Sequence, residues 1–373
     1  MESLEYYLLL VAIMVFGLLM PQGAKDRKQY IVIMAVLHSL LSGLRHQYLT
    51  GDMQSYCYMY WRAAKQGWFS EAIFQEGRNF GFNWLLKFFS LLSGEEFQVF
   101  LIAVAIFIEA AVAYLIYKYS PLPWLSFLVW NCMGFYCFGF SAIKQSIAMG
   151  FIMIAFVGIM EEKPKQFALF TILGGFVHSP ALIFLPAYFL SKQKFTLRTL
   201  IIYICGAAVI FLNKNQIVEL MREFYYEDKV FGDDAQLGGR FFLIVLFIIS
   251  GFALKGFNGK YFSKVANLIV VAAVLQMFSG FDNVFTRLTD YYLQFLIIFI
   301  PLSFADYKDE KLTGVSEGIS LEIPPKLSLL IIIFLVVFLI WFYNKCYIDV
   351  DIIPVDDYTN YRFFWEEWGV NVD

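Results

Sequence analysis

The chain has 373 residues, 60% hydrophobic and 20% aromatic, with 16% charged and a formal net charge of −3. That composition excludes an ordinary soluble domain and indicates a polytopic membrane protein. The near-neutral balance leaves no electrostatic case for nucleic acid, and the five scattered cysteines (Cys57, Cys132, Cys137, Cys205, Cys346) read as small hydrophobes, not as a disulfide frame or metal site.

Apolar runs fall at 6–22, 30–44, 97–117, 121–138, 143–160, 199–212, 241–255, 264–281, 291–305 and 327–344. They predict an all-α fold of about 10 spanning helices. The first run follows Glu2 and Glu5, the wrong flank charge for a signal peptide, and reads as a retained helix. Two stretches do not fit a simple count. Residues 79–93 are short and carry Lys87, so they are expected to lie at the interface or dip in without crossing. Residues 167–190 are long enough to cross once but are interrupted by Gly174, Gly175, His178 and Pro180, so they are expected to enter and return as a hairpin with His178, Ser179 and Pro180 at its tip.

Loops 23–29, 191–198 and 255–264 are densely basic, and basic short loops stay on the cytoplasmic side. With all three inside, both chain termini lie outside. So do the long loops 45–78 and 213–240, each expected to carry an interfacial helix, and the acidic tail 345–373. The polar loop 306–326 is then a cytoplasmic connector, and residues 1–344 form one transmembrane domain.

No phosphate-binding glycine loop, dinucleotide fingerprint, zinc-protease motif or paired Cys-x-x-Cys is present. Asp349-Val350-Asp351 and the pair Asp233-Asp234 are short acidic matches of the kind that arise by chance in acidic loops. The basic set says more. Arg45, Lys144, Arg240 and Arg287 each stand near the outer end of a predicted helix, where cations from separate elements can converge on a diphosphate. The plainer alternative for each is a side chain that snorkels to the headgroups. Asp52 and Tyr56 accompany Arg45, and Asp290, Tyr291 and Tyr292 accompany Arg287. His178 admits three readings: a core histidine bonded to a backbone carbonyl, a donor to a bound sugar or phosphate, or a general base. Asp52 is the best carboxylate for deprotonating a sugar hydroxyl, with Glu76 in reserve. Glu109, within an apolar run, either pairs with a basic group or faces a proton path.

Taken in order, Arg45, Gly51-Asp52 with Tyr56, the stretch from Glu76 to Phe82, Lys144-Gln145 with Ala148, His178 leading into Ala181-Leu182, and Arg287 with Tyr291 resemble the EpsG-like family of Wzy-type polysaccharide polymerases. In this chain lysine stands before Gln145 where that family usually has arginine, and Pro180 stands where a small hydroxyl residue is usual. The resemblance implies a GT-C-like membrane fold and a metal-independent glycosyltransferase without a cofactor. It would join polyprenyl-diphosphate-linked oligosaccharide repeat units at the outer face of the bacterial inner membrane. Asp52 and His178 are then the catalytic candidates, with Arg45, Tyr56, Lys144, Gln145, Arg240, Arg287 and Tyr291 binding substrate. Membrane lipid and a chain-length regulator protein are the expected partners. A flippase for the same lipid-linked sugars and an outer-face acyltransferase or ligase are the competing readings.

Overall fold

The computed structural model describes residues 4–19, 24–70, 80–225, 237–256, 260–304, 326–344 and 361–366. Among these the secondary structure is helical, and the only extended pairing is an isolated bridge between Arg45 and Phe363.

Helices α1 (Leu4–Leu19) and α2 (Ala24–Gly43) lead to α3 (Gly51–Lys65). α3 is a helix within loop 45–78, where one was expected. Its buried residues Met53, Cys57, Tyr60 and Ala63 recur at helical spacing, while Tyr58 on the opposite face is exposed. α4 (Phe80–Ser93) lies against it: Lys87 Nζ donates to Ala64 O at 3.2 Å, and the Tyr60 and Ser93 hydroxyls are 2.6 Å apart. Its 14 residues extend about 21 Å at 1.5 Å per residue, short of the bilayer's apolar core.

α5 (Phe97–Tyr119) and α8 (Ile143–Met160) are the two described helices long and apolar enough to span a bilayer. Between them, α6 (Pro123–Cys132) and α7 (Phe135–Ser141) divide the run 121–138 at Gly134, whose φ of 79° lies in the left-handed region. α8 is central, buried along nearly its whole length. α9 (Pro164–Val177) packs back on α8, and Gly158 makes the turn between them possible, since a Cβ there would lie 2.7 Å from Phe167 N.

After Val177 the chain reverses. A 3-10 turn (Ser179–Phe184) and α10 (Ala187–Leu190) return along α9, so that Phe167 near its start meets Phe184 and Tyr188 with ring centroids 6.0 and 5.2 Å apart. Gly175 permits the close return, because a Cβ there would lie 2.4 Å from Leu182 Cδ2. The expected hairpin is therefore present, with His178 at its tip.

α11 (Leu197–Leu212) and α12 (Lys214–Tyr225) form a bent pair at 68°, a third span if taken together. α13 (Gly239–Lys255), α14 (Lys260–Gln276), α15 (Asn283–Leu293), α16 (Leu296–Phe304) and α17 (Lys326–Tyr343) complete the described helices. By length and apolar composition the described residues thus supply two spans, or three with the bent pair, where the apolar runs predicted about 10. Two of those runs are broken, at Gly134 and between Leu293 and Leu296, while α1, α13 and α14 are continuous but only 16, 17 and 17 residues long.

The bundle has two distinct ends. Arg27 donates to Ser120 O, Asn267 Nδ2 donates to Gln193 O at 2.8 Å, and Lys264 Nζ reaches Ile159 O at 3.0 Å. All three basic loops of the sequence therefore gather at one end. Lys118 and Lys163 pair with Glu161 there, and Lys260 and Lys264 pair with Glu162. The head of α8, the hairpin tip and the segment 361–366 stand at the other end, together with the start of α1, where the Tyr6 and Tyr361 rings meet at 5.9 Å.

Candidate active site

The hairpin places His178 where a helix has just ended. Its N–H closes α9 on Gly174 O at 2.9 Å, and its carbonyl accepts from Ala181 N at 3.0 Å. The imidazole Nδ1 lies 2.6 Å from the hydroxyl of Tyr291, a residue 1% exposed on α15. A buried phenol needs an acceptor for its proton, and a neutral imidazole nitrogen is one, so Tyr291 donates and the ring proton sits on Nε2. Burial, then the charges of Arg287 and Lys144, push the His178 pKa down to about 4. With Nδ1 engaged by Tyr291, Nε2 is the ring nitrogen left to meet a ligand, and in this tautomer it donates.

Ala142 breaks the helix ahead of α8 and so puts Lys144 and Gln145 in that helix's first turn. The Lys144 ammonium stands 5.7 Å from the Tyr56 ring centroid and 5.1 Å from that of Phe82, a cation-π arrangement that joins α8 to α3 and α4. Gln145, 2% exposed, donates from Nε2 to Arg287 O at 2.8 Å and ties the same turn to α15. Burial lifts the Tyr56 phenol to about 12, with Asp52 adding to the rise and the Lys144 backbone and Arg287 opposing it. Asp52 and the Arg287 side chain are exposed on the rim. Five elements far apart in the chain thus contribute to one constellation: α3, α4, α8, the hairpin tip and α15.

The model of the EpsG family matches residues 28–363, nearly the whole chain. This chain belongs to the EpsG family. No match is found among curated proteins or solved structures. Membership carries a polysaccharide-polymerase-related role in exopolysaccharide biosynthesis, in a helical membrane protein.

Two basic residues assigned to the site from sequence are placed differently in this EpsG-family chain. Arg45 is 1% exposed. Its guanidinium donates to Ser42 O, to Ser42 Oγ at 3.2 Å and to Gly139 O at 3.4 Å, and it lies 5.1 Å from the Phe140 ring centroid. The segment 361–366 covers the same turn, with Arg362 O accepting from His46 N at 2.7 Å and Leu44 O accepting from Phe364 N at 2.9 Å. As placed, Arg45 braces the fold and is not presented to a ligand. Arg240, at the start of α13, is paired with the buried Asp290 of α15. The sequence had set Asp290 beside Arg287; the fold gives it to Arg240.

Glu109 accepts from Trp130 Nε1 at 3.3 Å and forms no ion pair among the described residues, so of its two sequence readings the basic partner is not found there. Glu76, Asp233, Asp234, Asp349, Asp351 and Cys346 lie outside the described residues. Phe82 was missed as a site residue. An aromatic side chain inside a Phe- and Leu-rich run looks like core, and only its place in the Gly81-Phe82 step of the family pattern marks it out.

Proposed function

We propose that this EpsG-family protein polymerises oligosaccharide repeat units carried on polyprenyl diphosphate, at the outer face of the bacterial inner membrane. One observation carries the reading: the hairpin tip brings the His178 imidazole, held by Tyr291, to the same end of the bundle as the Lys144 ammonium and the Arg287 guanidinium. A lipid diphosphate leaving group at the headgroup plane needs that mixture of fixed cations and neutral donors, already in place before charge develops. In the step we infer, the acceptor hydroxyl oxygen attacks the anomeric carbon of the donor. The bond from that carbon to the phosphate oxygen breaks, and polyprenyl diphosphate departs with the electron pair. Lys144, Arg287 and His178 Nε2–H take up its charge, and Asp52, exposed one helical turn before Tyr56, takes the hydroxyl proton. Tyr and Trp side chains of α3 and the segment following it supply faces for sugar rings, and grooves between helices hold the polyprenyl tails.

Orientation follows the basic loops. The end bearing Glu161 and Glu162 is cytoplasmic, and both chain termini lie outside with the site. Membrane lipid surrounds the bundle, and a chain-length regulator protein is the partner this role calls for. The test is purified protein in lipid nanodiscs, supplied with a synthetic polyprenyl diphosphate repeat unit and no other enzyme. A ladder of glycan lengths is expected, unchanged by chelators. Unconverted single units would refute polymerisation, and transfer of single units to a different acceptor would favour the ligase.

A further inference from the structure

Glu109 stands in the middle of α5, 2% exposed, and its Oε2 has no hydrogen-bond partner among the described residues. Ser146 Oγ, on α8, is likewise without one. Both residues line a single cavity of ≈ 10 Å³, together with Ser42, Trp130, Tyr136 and Gly139. Buried polar atoms in native proteins nearly always have partners. Two such atoms from separate helices, lining one gap with room for about one water, point to the missing partner. A cation suits the gap poorly, because the Arg45 guanidinium already stands at its edge on Ser42 Oγ and Gly139 O. An ionised carboxylate without an ion pair is costly at this depth, so Glu109 enters as the neutral acid with an O–H to donate.

We propose that Glu109, Ser146 and Ser42 form a binding site for one internal water, and that this site sets the position of the Lys144–Gln145 turn at the head of α8. Glu109 donates to the water, and the water donates to Ser146 Oγ and Ser42 Oγ. Trp130 holds the other carboxyl oxygen, so α2, α5, α6 and α8 meet at this one point. Ser146 directly follows Gln145, so a change in the gap displaces the turn that carries the ammonium. Glu109 is a positioning residue in this account, since it acts through Lys144 and Gln145.

The water itself is tested without any activity, by infrared spectroscopy of the full chain in nanodiscs. A neutral-acid carbonyl band that disappears in Glu109→Gln should move on Ser146→Ala and on exchange into D2O; a band indifferent to both would overturn the site. The positioning role rests on the polymerase reading. Glu109→Leu, which cannot hold the water, should raise KM for the lipid-linked donor roughly tenfold with little change in kcat, whereas Glu109→Gln should retain the wild-type KM. A wild-type KM in Glu109→Leu, or equal impairment in both variants, would overturn that role. Should the wild-type protein form no polymer at all, the function reading fails while the infrared result still decides the water.

Discussion

At the basic-loop end of the bundle, Glu161 and Glu162 sit among Lys118, Lys163, Lys260 and Lys264 in direct ion pairs. At the hairpin-tip end, Lys144 lies over two aromatic rings and Arg287 is exposed, while Arg240 pairs with Asp290 behind them. Charges satisfied by one another hold helix ends together. Cations set beside rings and neutral donors keep their field available to an incoming anion. The comparison separates a structural end from a chemical one within a single fold.

The sharpest way to break that contrast is substitution at the chemical end. Arg287→Ala and His178→Ala should each lower chain elongation by at least about 100-fold, the scale of one preorganised charge or donor, in protein that inserts and accumulates normally. Arg45→Ala should also abolish polymer, but through the fold. It removes buried charge-assisted hydrogen bonds at a cost of about 3 kcal/mol, so a lower melting temperature and reduced accumulation should accompany the loss. Equal thermal stability in Arg45→Ala and Arg287→Ala would return Arg45 to the ligand site.

Smaller effects sharpen the picture. Tyr291→Phe removes the donor that fixes the His178 tautomer and should reduce the rate roughly tenfold with little change in substrate affinity. His178 has its folded pKa lowered to about 4 from an ordinary 6.5. Its burial therefore favours the folded state above about pH 6.5, and that contribution fades as pH falls toward 4. The pH profile of elongation should show no histidine inflection near 6.5; a break there that vanishes in His178→Gln would show that the ring ionises in the working enzyme.

At the structural end, burial alone would raise the Glu161 pKa, but Lys118 and Lys163 together hold it below the ordinary carboxylate value. Its contribution is present above the ordinary carboxylate range and lost as pH falls through the depressed value. Glu161→Gln should cost about 1 kcal/mol of stability and leave polymer length unchanged. Smallest of all, Lys144→Arg should be nearly silent, since it keeps the cation and its place over the Tyr56 and Phe82 rings.

Much of this was legible in the residues themselves. Gly174, Gly175, His178 and Pro180 announce a break in an apolar run, and the structure turns that break into a hairpin because Gly175 admits Leu182 while Gly174 lies against Ala148 and Ala181. Three basic loops announce a common end, and the fold gathers them. The burial of Arg45 was not legible, because it depends on residues 361–366, more than 300 positions away, closing over its turn. The Arg240–Asp290 pair was hidden for the same reason, since spacing along α15 advertises only the neighbour Arg287. A helix break inside an apolar run, as at Gly134, is likewise hidden, because composition averages over it.

The most direct test of the convergence at the hairpin tip is side-specific thiol labelling of whole cells. Cys205, exposed in the fold, and Cys346 would first be replaced by serine, leaving the buried Cys57, Cys132 and Cys137. Single cysteines would then be introduced as Ser179→Cys and Gln193→Cys. The account predicts that a membrane-impermeant maleimide labels position 179 from outside and position 193 only after the membrane is opened. Labelling of position 193 in intact cells would mean that the segment crosses and does not return, and His178 would then be separated from Lys144 and Arg287.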